Sequence, residues 1–141
     1  MGNTQPMKKI NYEDMQLVIK NPQQYLIINT MPSLEQDCLI INTIPINDEP
    51  NIINKYLKEK QFSIRIIIYG KNCNDERIEI TYNKLTNLGF YNIFIYFGGM
   101  FEWLMLQDIY GKELFPTTKK ELDLLKYKPQ QLLNIELLEY S

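Results

Sequence analysis

The sequence contains no histidine. Nucleophilic catalysis through a Ser-His or Cys-His pair is thereby excluded, because the base that activates the nucleophile is missing. Cysteine is scarce as well, with only Cys38 and Cys73. Two cysteines make no secreted disulfide framework. A zinc ion would have to be held by these two thiols and carboxylates, a poor match to its usual sulfur and imidazole ligands. Neither a metal nor a cofactor is therefore expected. No run of about 18 apolar residues is present that would span a bilayer. The opening residues MGNTQPMKKI lack the apolar centre of a signal peptide, and Pro6 stands where a myristoylation signal following Gly2 has Ser or Thr. Charge of one sign is not in excess either, since 15 Lys and Arg face 17 Asp and Glu for a formal net charge of −2. The basic footprint of a nucleic-acid binder is absent. These absences lead us to expect a cytoplasmic protein without a membrane or nucleic-acid partner.

What is present fits one domain. The 141 residues match a typical domain of about 100 to 150 residues and suffice for one substantial core. Short β-rich apolar segments alternate with amphipathic ones, the pattern of a parallel sheet covered by helices on both faces. A short helix is expected from about Tyr12 to Lys20, closed by Asn21-Pro22. Strands are expected at Tyr25 to Asn29, at Cys38 to Asn42, at Ile64 to Tyr69 and at Asn92 to Phe97. The third of these is nearly continuous in apolar residues and suits a central position. Between them, Ile52, Ile53, Tyr56 and Leu57 mark a helix over 50–60 with one face buried. Ile78, Tyr82, Leu85 and Leu88 mark another from Glu76 to a C-cap at Gly89. Gly98-Gly99 permits a sharp turn before a third helix over Phe101 to Tyr110. An amphipathic helix is expected from Lys119 to Tyr127, with Leu122, Leu125 and Leu124 inward and Pro129 preventing continuation. Residues 1–129 then form one domain with an amino-terminal lead-in. Residues 130–141, rich in Leu and Ile, form a tail expected to pack on it, with a partner groove or a dimer contact as alternatives.

Ligands of parallel α/β sheets bind outside the carboxyl ends of the strands. That rule directs attention to the polar segment Gly70, Lys71, Asn72, Cys73, Asn74, Asp75, Glu76 and Arg77. Its backbone N–H groups and the following helix N-terminus suit a small anion, with Lys71 adding positive charge. The alternative is an ordinary strand-to-helix connection capped by Asn74 or Asp75.

A strand ending Ile67-Ile68-Tyr69, a short loop, a helix, then Leu88-Gly89-Phe90, a strand, and Gly98-Gly99 with Trp103 four residues later resembles the rhodanese family in order and spacing. Ile10-Asn11-Tyr12-Glu13-Asp14 resembles the family's lead-in, and the likeness extends over residues 10 to 110. It implies a single rhodanese-like α/β domain, with a central mostly parallel sheet of about five strands and helices on both faces. In active rhodaneses the first residue after the central strand is a persulfide-carrying cysteine; here it is Gly70. The Asp and Arg that commonly close the preceding strand are replaced by Asn29 and Met31. The resemblance thus implies a non-catalytic binding or regulatory module with a vestigial loop. An alternative is a sulfurtransferase using Cys73, three residues further along, although Asp75 and Glu76 beside it disfavour a thiolate. A phosphatase is disfavoured by spacing, since only three residues separate Cys73 from Arg77 where the related phosphatases have five. Cys38 reads as a buried small hydrophobe. A structural subunit acting through the tail is a third reading. Another protein, or a small anion at the loop, remains as partner; the oligomeric state is not set by the sequence.

Overall fold

The computed structural model describes residues 6–133. Its centre is a sheet of four parallel strands in the order β1-β4-β3-β2. The strands are β1 (Lys8–Ile10), β2 (Tyr25–Asn29), β3 (Arg65–Tyr69) and β4 (Ile93–Tyr96). The helices are α1 (Tyr12–Ile19), α2 (Glu49–Lys58), α3 (Arg77–Asn87) and α4 (Gly99–Tyr110), with single 3-10 turns at Ser33–Glu35 and Leu124–Tyr127. None of the described helices is long and apolar enough to cross a membrane.

Strand β3 is apolar from Ile66 to Tyr69 because that stretch is covered twice. Successive side chains of a strand point to opposite faces. Accordingly Ile67 and Tyr69 enter one core with Met15, Val18, Ile27, Tyr96, Met100, Trp103 and Phe115. Ile66 and Ile68 enter the other with Ile28, Ile78, Leu85, Phe90 and Ile95. Helices α1 and α4 cover the first face, and α2 and α3 the second. Helix α1 starts at a capping box: Asn11 Oδ1 accepts from the Asp14 N–H at 2.9 Å, and the Asn11 N–H donates back to Asp14 Oδ2 at 3.1 Å. Helix α3 ends as its sequence foretells, with Gly89 at φ +112°.

Three expectations are corrected. Among the described residues the sheet has four strands, not about five. Residues 38–42 are not a strand; only an isolated antiparallel bridge joins Ile40 to Thr117. Cys38, Leu39 and Ile40 are buried as their apolarity demands, but the N–H groups of Leu39 and Ile40 find partners outside a ladder. The Leu39 N–H donates to Thr118 Oγ1 at 3.0 Å and the Ile40 N–H to Tyr69 Oη at 3.1 Å. The third correction concerns the helix expected over 119–127, which shrinks to the 3-10 turn at Leu124–Tyr127. Leu122 and Leu125 are exposed, and Tyr127 is the residue buried. Its start is tied instead to residues 38 and 39: the Thr118 N–H donates to Leu39 O at 2.8 Å, and Cys38 Sγ donates to Lys119 O at 3.3 Å.

The lead-in contributes more than expected, since Lys8–Ile10 pairs with Phe94–Tyr96 as an edge strand. Its exposed lysines lie over aromatic rings, Lys8 Nζ 5.5 Å from the Phe94 centroid and Lys9 Nζ 4.1 Å from that of Phe97. Of the tail, Gln130 to Leu133 lie at the surface. Residues 134–141 lie outside the described residues.

Candidate functional site

Strand β3 delivers the chain at Tyr69 to the carboxyl edge of the sheet, and the next seven residues form the loop that opens α3. The loop is organised around one carboxylate. Asp75 Oδ2 accepts from the Lys71 N–H at 3.0 Å and from Thr30 Oγ1 at 2.9 Å, while Oδ1 accepts from the Arg77 N–H at 3.0 Å. Asp75, rather than Asn74, thus takes the free N–H at the start of α3. Because the loop's converging donors favour negative charge, it holds an anion of its own.

Gly70 stands against this carboxylate. A Cβ built on Gly70 would overlap Asp75 Oδ2 and lie 2.6 Å from Thr30 Oγ1 and 2.7 Å from Asp75 Cγ. Any side chain here must therefore displace Asp75. The absence of a cysteine at this position and the location of Asp75 are two sides of one arrangement.

The floor is set by Gly98-Gly99. The Met100 N–H donates to Gly70 O at 2.9 Å and the Phe101 N–H to Lys71 O at 2.8 Å. Gly99 has φ +67°, and a Cβ on it would lie 2.6 Å from Gly70 O. Only glycine combines that conformation with so close an approach of two backbones. The carboxyl-terminal segment holds the loop from another side: buried Asn72 donates its Nδ2 to Tyr127 O at 2.9 Å, and its Oδ1 accepts from the Asn74 N–H at 2.8 Å. Outside this frame, Lys71 Nζ pairs with Glu35 at 2.9 Å, and Arg77 Nη1 donates to Thr30 O at 3.4 Å. A surface groove of about 870 Å³ runs beside the loop, with Glu35, Lys71, Glu76, Arg77, Lys126 and Lys128 among its lining residues.

The eight residues expected at the site thus divide. Gly70, Lys71, Asp75 and Arg77 surround the carboxylate, and Asn72 is buried beneath the loop. Cys73, Asn74 and Glu76 are exposed. The one hydrogen bond of Cys73 Sγ among the described residues is to Asn74 Oδ1, at 3.8 Å. Sequence reasoning missed Thr30, Glu35 and Tyr127. The signal for the first two was parallel pairing: if β2 lies beside β3, the residues that follow both strands emerge at the same edge. Asn29 and Met31 shape that edge, since Asn29 Oδ1 accepts from the Met31 N–H at 3.1 Å and Gln36 Nε2 at 2.8 Å. Cys38 is buried in the first core, and burial pushes its thiol up, away from the thiolate.

Far from the loop, Glu49 at the start of α2 keeps a buried Oε2 without a hydrogen-bond partner among the described residues. Burial raises its carboxyl to about 7, partly opposed by the charge of Lys84. The folded state therefore holds the proton more tightly than the unfolded chain, whose value is 4.5. This favours folding fully below that value, and the advantage is lost as pH rises through about 7. After discounting for partial exposure and solvent screening, Glu49→Gln should stabilise the protein by about 1 kcal/mol at pH 8 and leave it unchanged at pH 4. Urea denaturation at the two pH values checks this.

No protein-family model matches the sequence, and no curated protein does. Solved structures do match. A yeast protein tyrosine phosphatase of the rhodanese family superposes with a TM-score of 0.61 at 14% identity, over 86% of this chain and 99% of that one. The single-domain sulfurtransferase of Saccharomyces cerevisiae gives 0.54 at 21% identity, covering 82% of this chain and 100% of the other. An As-Sb reductase from Leishmania major gives 0.55 at 18%, with 96% and 97% covered. Identities this low speak to architecture, and the three neighbours are described by three different activities. The strand order, the loop after β3 and the superpositions agree on one conclusion: the chain has the rhodanese-like α/β fold.

Proposed function

We propose that this chain is a non-catalytic rhodanese-like module of the cytoplasm that binds a protein partner through the face carrying the Gly70–Arg77 loop. The observation that supports this most is the seat of the Asp75 carboxylate, in the space that a side chain at residue 70 would need and on the donors that would serve it. A nucleophile requires a base or a set of donors that lowers its pKa. The N–H groups of Lys71, Asn74, Asp75 and Arg77 already donate to Asp75 or Asn72, and the one hydrogen bond of Cys73 Sγ among the described residues goes to Asn74 Oδ1. The fold itself does not select a reaction, since function resides in sites built on folds. What favours a protein partner is the groove beside the loop, lined by charges of both signs over a rigid floor.

The test is sulfur transfer from thiosulfate or mercaptopyruvate to cyanide, with wild type beside Cys73→Ser. Both are expected to run at the rate of the protein-free blank. Transfer by wild type that disappears in Cys73→Ser would establish Cys73 as a displaced sulfur carrier and end the non-catalytic reading.

A further inference from the structure

We infer that Asp75 is a built-in ligand that keeps the loop closed to outside oxyanions, and that removing its side chain opens a site for sulfate-like tetrahedral anions. This deepens the reading above and rests on it in taking the loop as non-catalytic.

Three donors from three parts of the chain converge on this carboxylate: the Lys71 N–H at the start of the loop, the Arg77 N–H at the start of α3, and the Thr30 hydroxyl beyond β2. Their separation in sequence distinguishes the arrangement from a local helix cap. The Thr30 contact spans 45 residues. The carboxylate also occupies the volume left by the missing Gly70 side chain. Donors and volume are the two requirements of an oxyanion site, and Asp75 takes both. Lys71 and Arg77 add two cationic side chains at the rim, tied by Lys71 Nζ to Glu35 at 2.9 Å and by Arg77 Nη1 to Thr30 O at 3.4 Å. An external anion entering wild type would have to expel a carboxylate tethered to the same loop, which competes intramolecularly for the same donors. It would also meet that displaced negative charge at close range.

Truncation to alanine removes the occupant while leaving the backbone donors and the Thr30 hydroxyl in place. Asparagine is the informative contrast, because it keeps the volume without the charge. Its oxygen can still accept on one side of the loop while its NH2 cannot, so it should remain closed if occupancy of space is what matters.

The experiment is a titration of full-length wild type, Asp75→Ala and Asp75→Asn with sodium sulfate at ionic strength held constant by chloride, followed by the amide resonances of residues 71 and 77. In Asp75→Ala these two amides should shift saturably. In wild type and Asp75→Asn, sulfate should bind at least about tenfold more weakly. Thr30→Val added to Asp75→Ala should weaken sulfate binding by removing a donor. Saturable shifts of residues 71 and 77 in wild type, as tight as in Asp75→Ala, would overturn the inference, as would an Asp75→Ala protein that is folded and indifferent to sulfate. Should Asp75→Ala fail to fold, the wild-type titration still decides: saturable binding there refutes closure, and its absence, with refolding of the variant by sulfate but not by chloride, supports it. Sulfur transfer by a wild type that takes up no sulfate would instead defeat the non-catalytic reading and leave this inference standing.

Discussion

Gly70→Cys, which puts a cysteine where the resemblance to active rhodaneses would place one, is expected to weaken the fold by about 2 to 3 kcal/mol and to gain no stable persulfide. The backbone at this residue is not in the left-handed region, so a side chain is not forbidden by conformation. The obstacle is the neighbour, since a Cβ here overlaps Asp75 Oδ2 and crowds Thr30 Oγ1 at 2.6 Å. Accommodating the cysteine means expelling the carboxylate from three hydrogen bonds. A carboxylate moved nearby also disfavours the thiolate that must attack sulfur. Adding Asp75→Gly should reverse both effects. The double variant should recover part of the lost stability, which urea denaturation will show as favourable coupling between the two sites. After incubation with thiosulfate its intact mass should rise by one sulfur atom. In that step the introduced thiolate attacks the sulfane sulfur, an S–S bond forms in the protein, and the bond to the sulfonate sulfur breaks to release sulfite. If Gly70→Cys alone proves as stable as wild type, Asp75 leaves its seat readily and the account of the loop fails.

Gly99→Ala should be equally damaging for a different reason. Gly99 has φ +67°, and a methyl group there would lie 2.6 Å from Gly70 O and 2.9 Å from Asn72 N. Both neighbours are backbone atoms, and Gly70 O also accepts from the Met100 N–H at 2.9 Å, so no flexible side chain can move aside. A cost of about 3 kcal/mol is expected from overpacking and positive φ together. Gly98→Ala is the control. Its φ is −63°, and what a Cβ would meet is the side chain of Glu102, which can rotate away at the expense of the Tyr96 hydroxyl's bond to Glu102 Oε1 at 2.6 Å. It should cost about 1 kcal/mol. Thermal denaturation ranks the two. Hydrogen exchange at the Met100 and Phe101 amides should rise markedly in Gly99→Ala and little in Gly98→Ala. Equal costs would mean that the Gly99 backbone does not set the floor of the loop.

The elements legible in the sequence were those whose pattern and environment coincide. Ile66 to Tyr69 are apolar because both faces are covered, and Ile78 and Leu85 are spaced as a helix requires and are buried as that spacing implies. Residues 38–42 show where pattern and structure separate. An apolar run reports that side chains are buried, not that the backbone is paired. Leu39 and Ile40 are buried while their N–H groups are satisfied by Thr118 and Tyr69. The edge strand Lys8–Ile10 failed in the opposite sense. With two exposed lysines it lacks apolar alternation, and pairing with Phe94–Tyr96 makes it a strand. In the segment 119–127 the leucine spacing suggested a buried helical face, but hydrogen bonds of Thr118 and Lys119 to Leu39 and Cys38 tie down its start. Leu122 and Leu125 remain exposed.

The sequence by itself determined the alternation of apolar and amphipathic segments, the place of the loop after the central strand, and the glycine at that loop's first position, Gly70. These are local properties, written in residue type and spacing. Only the tertiary structure decided what fills the gap. The position of Asp75 depends on the Thr30 hydroxyl brought in by an adjacent strand, on a turn at Gly99 that admits a second backbone, and on Tyr127 receiving Asn72 from 55 residues away. Each is a meeting of groups far apart in the chain, and residue spacing within one segment carries no record of it.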